Sequence, residues 1–345
     1  MNYNNQYNFY SENAQPGSPL WEGSAEAVFA ERKRISRAGH SIGGGLLIFL
    51  ALPFLISMAL QWVVPLIGID AAAFFAELNS YPTIWIYQAI LSLIVFTIPY
   101  IFAALFYGQK TLSAVMFSAP KKGTTLNSLL LGLGACAAAN LMAGMFERII
   151  GYGGNTIEDT FGSLPQDPAG ILIVVLVVCA LPALLEEFAF RGVVLGIARN
   201  VSEPFAIFVS ALLFGLMHGN LSQIPSAFLF GLALGYAAIR AKSIWPACLI
   251  HFVCNGISIA MTYASAALTE ESASVFNISF YIIMFALGGL GIIQSVKKDK
   301  NAFSLKSSET NLSAAKKFGL FITRPSMILF VIAVVIEMII LELNI

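Results

Sequence analysis

Nine apolar stretches separated by polar segments follow one another from residue 42 onward. About 20 helical residues cross the hydrocarbon core of a bilayer, so each stretch predicts a transmembrane helix. The predicted spans are 42–67, 83–107, 126–150, 169–198, 204–218, 222–240, 244–263, 275–295 and 326–343. The fifth is short, and the fourth carries charged residues. The pattern predicts an all-α polytopic membrane helical bundle of about eight to nine transmembrane helices.

Composition supports a membrane protein. Hydrophobic residues make up 58% of the 345 residues and charged residues only 11%, whereas a soluble domain is about half apolar and about a quarter charged. The four cysteines lie inside apolar runs, which is typical of small buried side chains rather than of disulfides. Nineteen basic residues balance nineteen acidic ones, so net charge indicates no partner, and we expect no nucleic-acid binding.

Polarity along the chain divides it into four parts. Residues 1–38 form a polar N-terminal tail, whose basic end predicts an interfacial helix. Residues 39–124 hold the N-terminal transmembrane helices, and residues 125–265 a membrane core that carries the candidate site. Residues 266–345 hold the last helices, with a polar loop over 296–325 that we expect on the cytosolic side.

The distribution of basic residues predicts the orientation. If the N-terminus is inside and the nine spans alternate, seventeen of the nineteen Lys and Arg residues fall in inner segments and none in outer loops. Arg148 and Arg191 lie within spans. Cytoplasmic loops of membrane proteins carry such an excess of Lys and Arg. We therefore expect an integral membrane protein with a cytoplasmic N-terminus. The polar tail and the spans favour a bacterial plasma membrane.

The fourth span contains the stretch "LLEEFAFRG", with two glutamates and an arginine where lipid is expected. A charged side chain in hydrocarbon costs several kcal/mol unless a partner compensates it. Glu187 and Arg191 are four residues apart, so they share a helix face and can form an ion pair. Glu186 points about 100° away around the helix and is free to face another group.

Two of the three histidines also lie in apolar spans. His218 ends the fifth span, and His251 shares one face of the seventh with Asn255. Counting about 1.5 Å per residue from the predicted inner ends, Glu186 lies roughly 20 Å deep, His218 roughly 21 Å and His251 roughly 12 Å. Similar depth on three helices predicts a shared polar cavity.

These side chains suit the hydrolysis of an amide inside a membrane. Glu186 would deprotonate a water as the general base, and His218 would orient that water or share a metal. His251 and Asn255 would donate hydrogen bonds to the oxyanion that develops on the amide carbonyl. The supporting residues are Glu187, Arg191 and Phe214.

The same residues resemble the motifs of the CPBP intramembrane protease family, which includes the CAAX prenyl protease type II and Abi-like bacteriocin-processing and immunity proteins. Its pattern is Glu-Glu-x-x-x-Arg, Phe-x-x-x-His and His-x-x-x-Asn, matched here by "EEFAFR", "FGLMH" and "HFVCN". The resemblance covers roughly residues 125–260. It implies a membrane endopeptidase whose cavity opens toward the cytosolic leaflet, and a membrane-embedded or lipidated peptide or protein as substrate. It assigns Glu186 with His218 to catalysis, and His251 with Asn255 to the oxyanion.

The sequence leaves two questions open: whether a metal takes part in catalysis, and whether the protein is an enzyme. Glu186, His218 and His251 could form a three-ligand zinc site with an open position. However, no His-Glu-x-x-His motif is present, and a carboxylate, a histidine and a water need no metal. We favour metal-independent catalysis, with zinc as the alternative. The alternative functions are a proton-coupled membrane transporter, since such proteins also bury Glu and His, and a non-catalytic bacteriocin immunity or regulatory membrane protein.

Overall fold

The computed structural model describes residues 24–108, 116–150, 164–308, 310 and 312–343. The predicted polar tail lies outside the described residues as far as residue 23. The described residues form eleven helices and no strand, which confirms the all-α prediction. In chain order these are α1 Ala25–Leu66, α2 Ala71–Leu78, α3 Thr83–Tyr107, α4 Thr125–Ile150, α5 Pro168–Ala198, α6 Glu203–Leu216, α7 Gln223–Ala241, α8 Trp245–Ala267, α9 Glu270–Lys298, α10 Ala314–Ile322 and α11 Pro325–Leu343.

Seven of these helices are long and apolar enough to cross a membrane: α1, α3, α4, α5, α7, α8 and α9. Helices α10 and α11 are bent by 79° and add an eighth span if they are counted as one. Helix α6 has only 14 residues, about 21 Å of helix, so it falls short of a bilayer core about 30 Å thick. The nine predicted spans therefore become seven or eight of spanning length within the described ranges.

Helix α5 carries the glutamates and is not a regular α-helix. It begins where the Asp167 carboxylate accepts a hydrogen bond from the Gly170 amide at 2.9 Å, with Pro168 in the first turn. Two stretches, Val175–Ala180 and Phe188–Val194, are π-helical. Such wide turns are rare and are often found at functional sites.

Segments rich in basic residues meet at one end of the bundle, which we call the basic end; it comprises residues 118–124, 199–203, 240–245 and 298–308. Glu203 and Lys306 are joined twice, by their backbones at 3.1 Å and from the Lys306 amide to the Glu203 carboxylate at 2.7 Å. The Lys121 amide donates to the Ala241 carbonyl at 3.0 Å. The alternation of spans predicted that these segments share one side, and the contacts agree with it.

Small residues bring the helices around the site together. A Cβ added at Gly231 of α7 would lie 3.0 Å from the Cα atom of Ala211 in α6, and one at Gly215 of α6 would lie 2.8 Å from the Ile224 carbonyl. Membrane helices pack closely through such residues. The cysteines are buried and free, as predicted; they are Cys136, Cys179, Cys248 and Cys254.

Candidate active site

Glu187 and Arg191 form the ion pair that their spacing predicted. The Arg191 Nη1 atom donates to Glu187 Oε1 at 2.8 Å, and both side chains are completely buried. The π-helical stretch begins at Phe188, directly after Glu187, and includes Arg191. A buried charge must be paired and hydrogen-bonded to be tolerated, so each of these residues requires the other.

Two further contacts hold Arg191 in place. Its Nη2 atom donates to the Gly231 carbonyl at 3.3 Å, and its guanidinium carbon lies 4.3 Å from the ring centroid of Phe214, within the range of a cation–π interaction. A Cβ added at Gly231 would stand 3.3 Å from Arg191 Nη2. Arg191 thus anchors α5 to both α6 and α7.

Glu187 also binds His251 of α8. The His251 Nδ1 atom lies 2.9 Å from Glu187 Oε1, the same oxygen that binds Arg191. A carboxylate only accepts hydrogen bonds when ionised, so the Nδ1 atom is the donor and carries a hydrogen. Glu187 therefore fixes the orientation of the imidazole, and its Nε2 atom is the one left for chemistry.

Glu186, the other glutamate of the motif, has no hydrogen-bond partner among the described residues. Its Oε2 atom lies 3.9 Å from His251 Nε2, too far for a direct hydrogen bond. Its side chain is 14% exposed, whereas that of Glu187 is 0% exposed. The two glutamates thus differ in their contacts, since Glu187 binds Arg191 and His251 through Oε1 and Glu186 makes no such bond.

His218 lies just beyond the last residue of α6. Its Nδ1 atom is 2.8 Å from the Phe214 carbonyl, so Nδ1 donates and Nε2 is left as an acceptor. Phe214 stands edge-on between the two imidazoles, with its ring centroid 5.1 Å from that of His218 and 6.0 Å from that of His251. The aromatic ring of the second motif therefore packs against both histidines.

Asn255 lies one turn beyond His251 on α8. Its Nδ2 atom donates to the Val178 carbonyl at 3.1 Å, within the first π-helical stretch of α5. An amide nitrogen carries two hydrogens, so the second remains for another acceptor. The sequence did not reveal this link, because Val178 lies in an apolar run that carries no polar signal.

A cavity of about 330 Å³ joins these elements. His218, His251, Asn255 and Phe214 line it, while neither Glu186 nor Glu187 is among its lining residues. Glu186 approaches the lining residue His251, with its Oε2 atom 3.9 Å from His251 Nε2. Polar residues that the sequence analysis missed also line it: Asn140 and Glu147 of α4, Gln223 and Ser226 of α7, and Ser258 of α8.

The cavity extends away from the basic end. From that end, His251 lies about 12 Å along α8 and Glu147 about 33 Å along α4, at about 1.5 Å per residue. Below His251, the side chains of Ala247 and Ile250 are completely buried and close this side. The resemblance implied an opening toward the cytosolic leaflet. The cavity runs in the opposite direction if the basic end is cytosolic.

The predicted zinc ligands do not form a ready metal site. Within the described ranges, no three His, Cys, Asp or Glu side chains are grouped so that they could hold one ion. The Nδ1 atoms of both histidines are already bound, to Glu187 and to the Phe214 carbonyl. We therefore derive no step through a metal.

Part of the chain is similar to known CAAX proteases. Residues 168–257 match the family model described as Rce1-like, type II CAAX prenyl endopeptidase. The chain is 26% identical over 140 residues to the membrane-embedded CAAX protease MroQ of Staphylococcus aureus (strain USA300). That match covers 39% of this chain and 57% of the relative, so the chain spans little more than half of the curated relative. No solved structure matches the chain.

The matched segment 168–257 includes both glutamates, Arg191, both site histidines and Asn255. It also covers the whole of α5, α6 and α7 and the first half of α8. Over this segment, the chain is similar to the type II CAAX prenyl endopeptidases.

Proposed function

We propose that this protein is an intramembrane endopeptidase that hydrolyses a peptide bond with a water activated by Glu186. The observation that carries the proposal is the shared oxygen of Glu187. By binding both Arg191 and His251, it fixes His251 on the cavity wall and leaves Glu186 unengaged, 3.9 Å from its Nε2 atom.

The first step is the attack of water on the peptide carbonyl. Glu186 accepts a proton from the water, whose oxygen forms a bond to the carbonyl carbon, and the carbonyl electrons move onto oxygen. A general base must reach its proton directly or through one water. Glu186 fits this role because no other described residue makes a hydrogen bond to its carboxylate. His218 accepts a hydrogen bond from the same water through its free Nε2 atom.

The second requirement is a donor for the developing oxyanion. Because His251 Nδ1 donates to Glu187, a neutral imidazole would leave Nε2 without a hydrogen, and only an imidazolium can donate from both nitrogens. The oxyanion role therefore requires the imidazolium form of His251, whose positive charge also suits the developing negative charge. His251 Nε2 and the second Asn255 hydrogen then stabilise the oxyanion.

The third step releases the product amine. The tetrahedral intermediate collapses, the carbon–nitrogen bond breaks, and Glu186 returns its proton to the leaving nitrogen. The products are a carboxylic acid and an amine, and no metal is needed. Glu187 and Arg191 touch no reacting atom and act as positioning residues.

The substrate is a membrane-embedded or lipidated peptide or protein. The proposed reacting groups lie about 12 to 20 Å from the basic end, counted along α8 and α5. If the basic end is cytosolic, as basic loops usually are, the scissile bond lies in the cytosolic half of the membrane and the rest of the bound peptide extends along the cavity toward Glu147 and Gln223.

Proton-coupled transport is less well supported by this geometry. A transporter exposes its site alternately to both sides of the membrane. The cavity lies on one side of His251, and on the other side Ala247, Cys248 and Ile250 are buried.

The test reconstitutes the full chain in vesicles with a panel of farnesylated CAAX peptides and unprenylated membrane-spanning peptides, with products read by mass spectrometry. We expect cleavage by the wild type and by Thr262→Ala, a change at an exposed position of the same helix, α8. We expect none by Glu186→Gln, His218→Ala or His251→Ala. Full activity in those three variants, with unchanged folding, would overturn the proposal.

A further inference from the structure

A larger groove lies near the basic end, remote from the active site. It has a volume of about 910 Å³ and lies between the N-terminal part of α1, the C-terminal end of α3 and the corner between α10 and α11. Four of its lining side chains are cationic: Arg32, Lys33, Arg37 and Arg324. No carboxylate lines it.

The cations of the groove are not neutralised by acidic neighbours. Among the described residues, none of the four forms a salt bridge. Glu31, on the same helix, faces the other way: its Oε1 atom lies 3.2 Å from Lys317 Nζ, and its side chain is 1% exposed. The groove therefore concentrates positive charge that only an anion from outside these residues can balance.

Two of the arginines are held in fixed positions. Arg324 donates from Nη1 to Ser36 Oγ at 3.2 Å and from Nη2 to Thr323 Oγ1 at 3.3 Å, which leaves other hydrogens of the guanidinium unused. Its stem lies against Gly39, where an added Cβ would stand 2.7 Å from the Phe321 carbonyl and collide with the arginine stem. The Arg37 guanidinium carbon lies 5.4 Å from the Tyr107 ring centroid.

Apolar side chains line the same groove. Phe29 is 70% exposed and Phe106 is 57% exposed, and Leu320 lies beside them. Aromatic residues are enriched where a membrane helix meets the headgroup region. A soluble anion would use only the cations. A ligand with an anionic head and an apolar chain would use both parts of the groove.

We propose that this groove binds an anionic phospholipid of the bilayer. Its phosphate lies among the basic side chains, since guanidinium groups match phosphate oxygens in geometry and charge. One acyl chain lies against Phe106 and Leu320. Basic pockets between membrane helices bind anionic lipid headgroups in this way. The bound lipid joins α1 and α3 to the α10–α11 corner, and it does not depend on the proposed protease activity.

The test measures lipid retained by the purified full chain in detergent, using native mass spectrometry with dioleoyl phosphatidylglycerol or dioleoyl phosphatidylcholine. We expect the wild type to retain the anionic lipid in preference to the neutral one. Arg32→Gln with Arg37→Gln changes two exposed side chains and should lower retention at least about tenfold. Lys121→Gln with Lys122→Gln removes the same charge elsewhere at the basic end and should retain the lipid.

Three results would overturn the proposal. One is equal loss of phosphatidylglycerol in both double variants, and another is equal retention of phosphatidylcholine by the wild type. The third is complete displacement of the lipid by millimolar inorganic phosphate, which would indicate a simple anion site. Arg324→Gln gives a second reading, because it should lower retention while Thr323→Val, which removes only a neighbouring hydroxyl, should not.

Discussion

The carboxylate of Glu187 accepts a hydrogen bond from His251 Nδ1 at 2.9 Å, although the two residues are 64 positions apart in the sequence. The same oxygen accepts one from Arg191 at 2.8 Å. One oxygen therefore ties the charged motif of α5 to the histidine motif of α8. This contact assigns different tasks to the two adjacent glutamates, and the first prediction depends on it.

Glu186→Gln should abolish most activity while leaving the fold intact. Losing a positioned general base lowers rates by about 10²–10⁴-fold, and Glu186 makes no hydrogen bond among the described residues, so its loss should not change the melting temperature. Glu187→Gln should instead lower the melting temperature and cost less activity. Thermal unfolding in detergent and peptide cleavage measure the two effects. The reverse ranking of activities would exchange the roles of the glutamates.

Glu187 and Arg191 should behave as a coupled pair in stability. Removing one member of a buried ion pair leaves the other charge uncompensated and costs about 3–5 kcal/mol. The double variant Glu187→Gln with Arg191→Gln should therefore be more stable than the sum of the two single losses predicts. Denaturation of the wild type, the two single variants and the double variant gives the four free energies of unfolding of a double-mutant cycle. Strictly additive losses would mean that the 2.8 Å contact contributes no coupling.

Gly231→Ala should destabilise the protein. Its new methyl group would lie 3.0 Å from the Ala211 Cα atom and 3.3 Å from Arg191 Nη2, so α6 and α7 would have to separate, at about 1–3 kcal/mol. Gly289→Ala is the matched control, since nothing lies within 4 Å of the added atom. It should be neutral or slightly stabilising, because alanine favours helix. Equal effects of both changes on the melting temperature would contradict the close packing at Gly231.

Activity should survive removal of metal. The side chains at the site do not group into a ligand set, and the proposed steps use only Glu186, His218, His251 and Asn255. Cleavage by protein dialysed exhaustively against a strong chelator should match that of untreated protein, with less than one equivalent of zinc by elemental analysis. Loss of activity that added zinc restores would establish the metal-dependent alternative.

The direction of the cavity can be read by chemical labelling. Because Cys136 and Cys254 already line the cavity, the four native cysteines are first replaced by alanine. In that background, Ser258→Cys places a single thiol in the cavity wall, and Lys122→Cys places one at the exposed basic end. With the basic end cytosolic, a membrane-impermeant maleimide should label Ser258→Cys in intact cells and Lys122→Cys only in inverted vesicles. Labelling of both from the same side would mean that the cavity opens toward the basic end.

Much of the site could be predicted because several of its residues are close together in the sequence. Glu187 and Arg191 are four residues apart on one helix, and helix geometry alone brings them together. Glu186 then had to face elsewhere. The depth of His218 and His251 followed from counting residues, and both line the cavity. The polar wall of Asn140 and Ser226 was missed, because single polar residues in apolar helices do not indicate which way they face.

The sequence by itself determined that this chain is a helical membrane protein, which helices carry ionisable groups, and which of those groups can pair within a helix. These follow from hydrophobicity and helical periodicity, which act over short stretches of chain. Only the tertiary structure decided that His251 binds Glu187, that Asn255 binds Val178 in a π-helical turn, and that the cavity extends away from the basic end. Such contacts depend on helix rotation and crossing, which close packing of the assembled bundle sets.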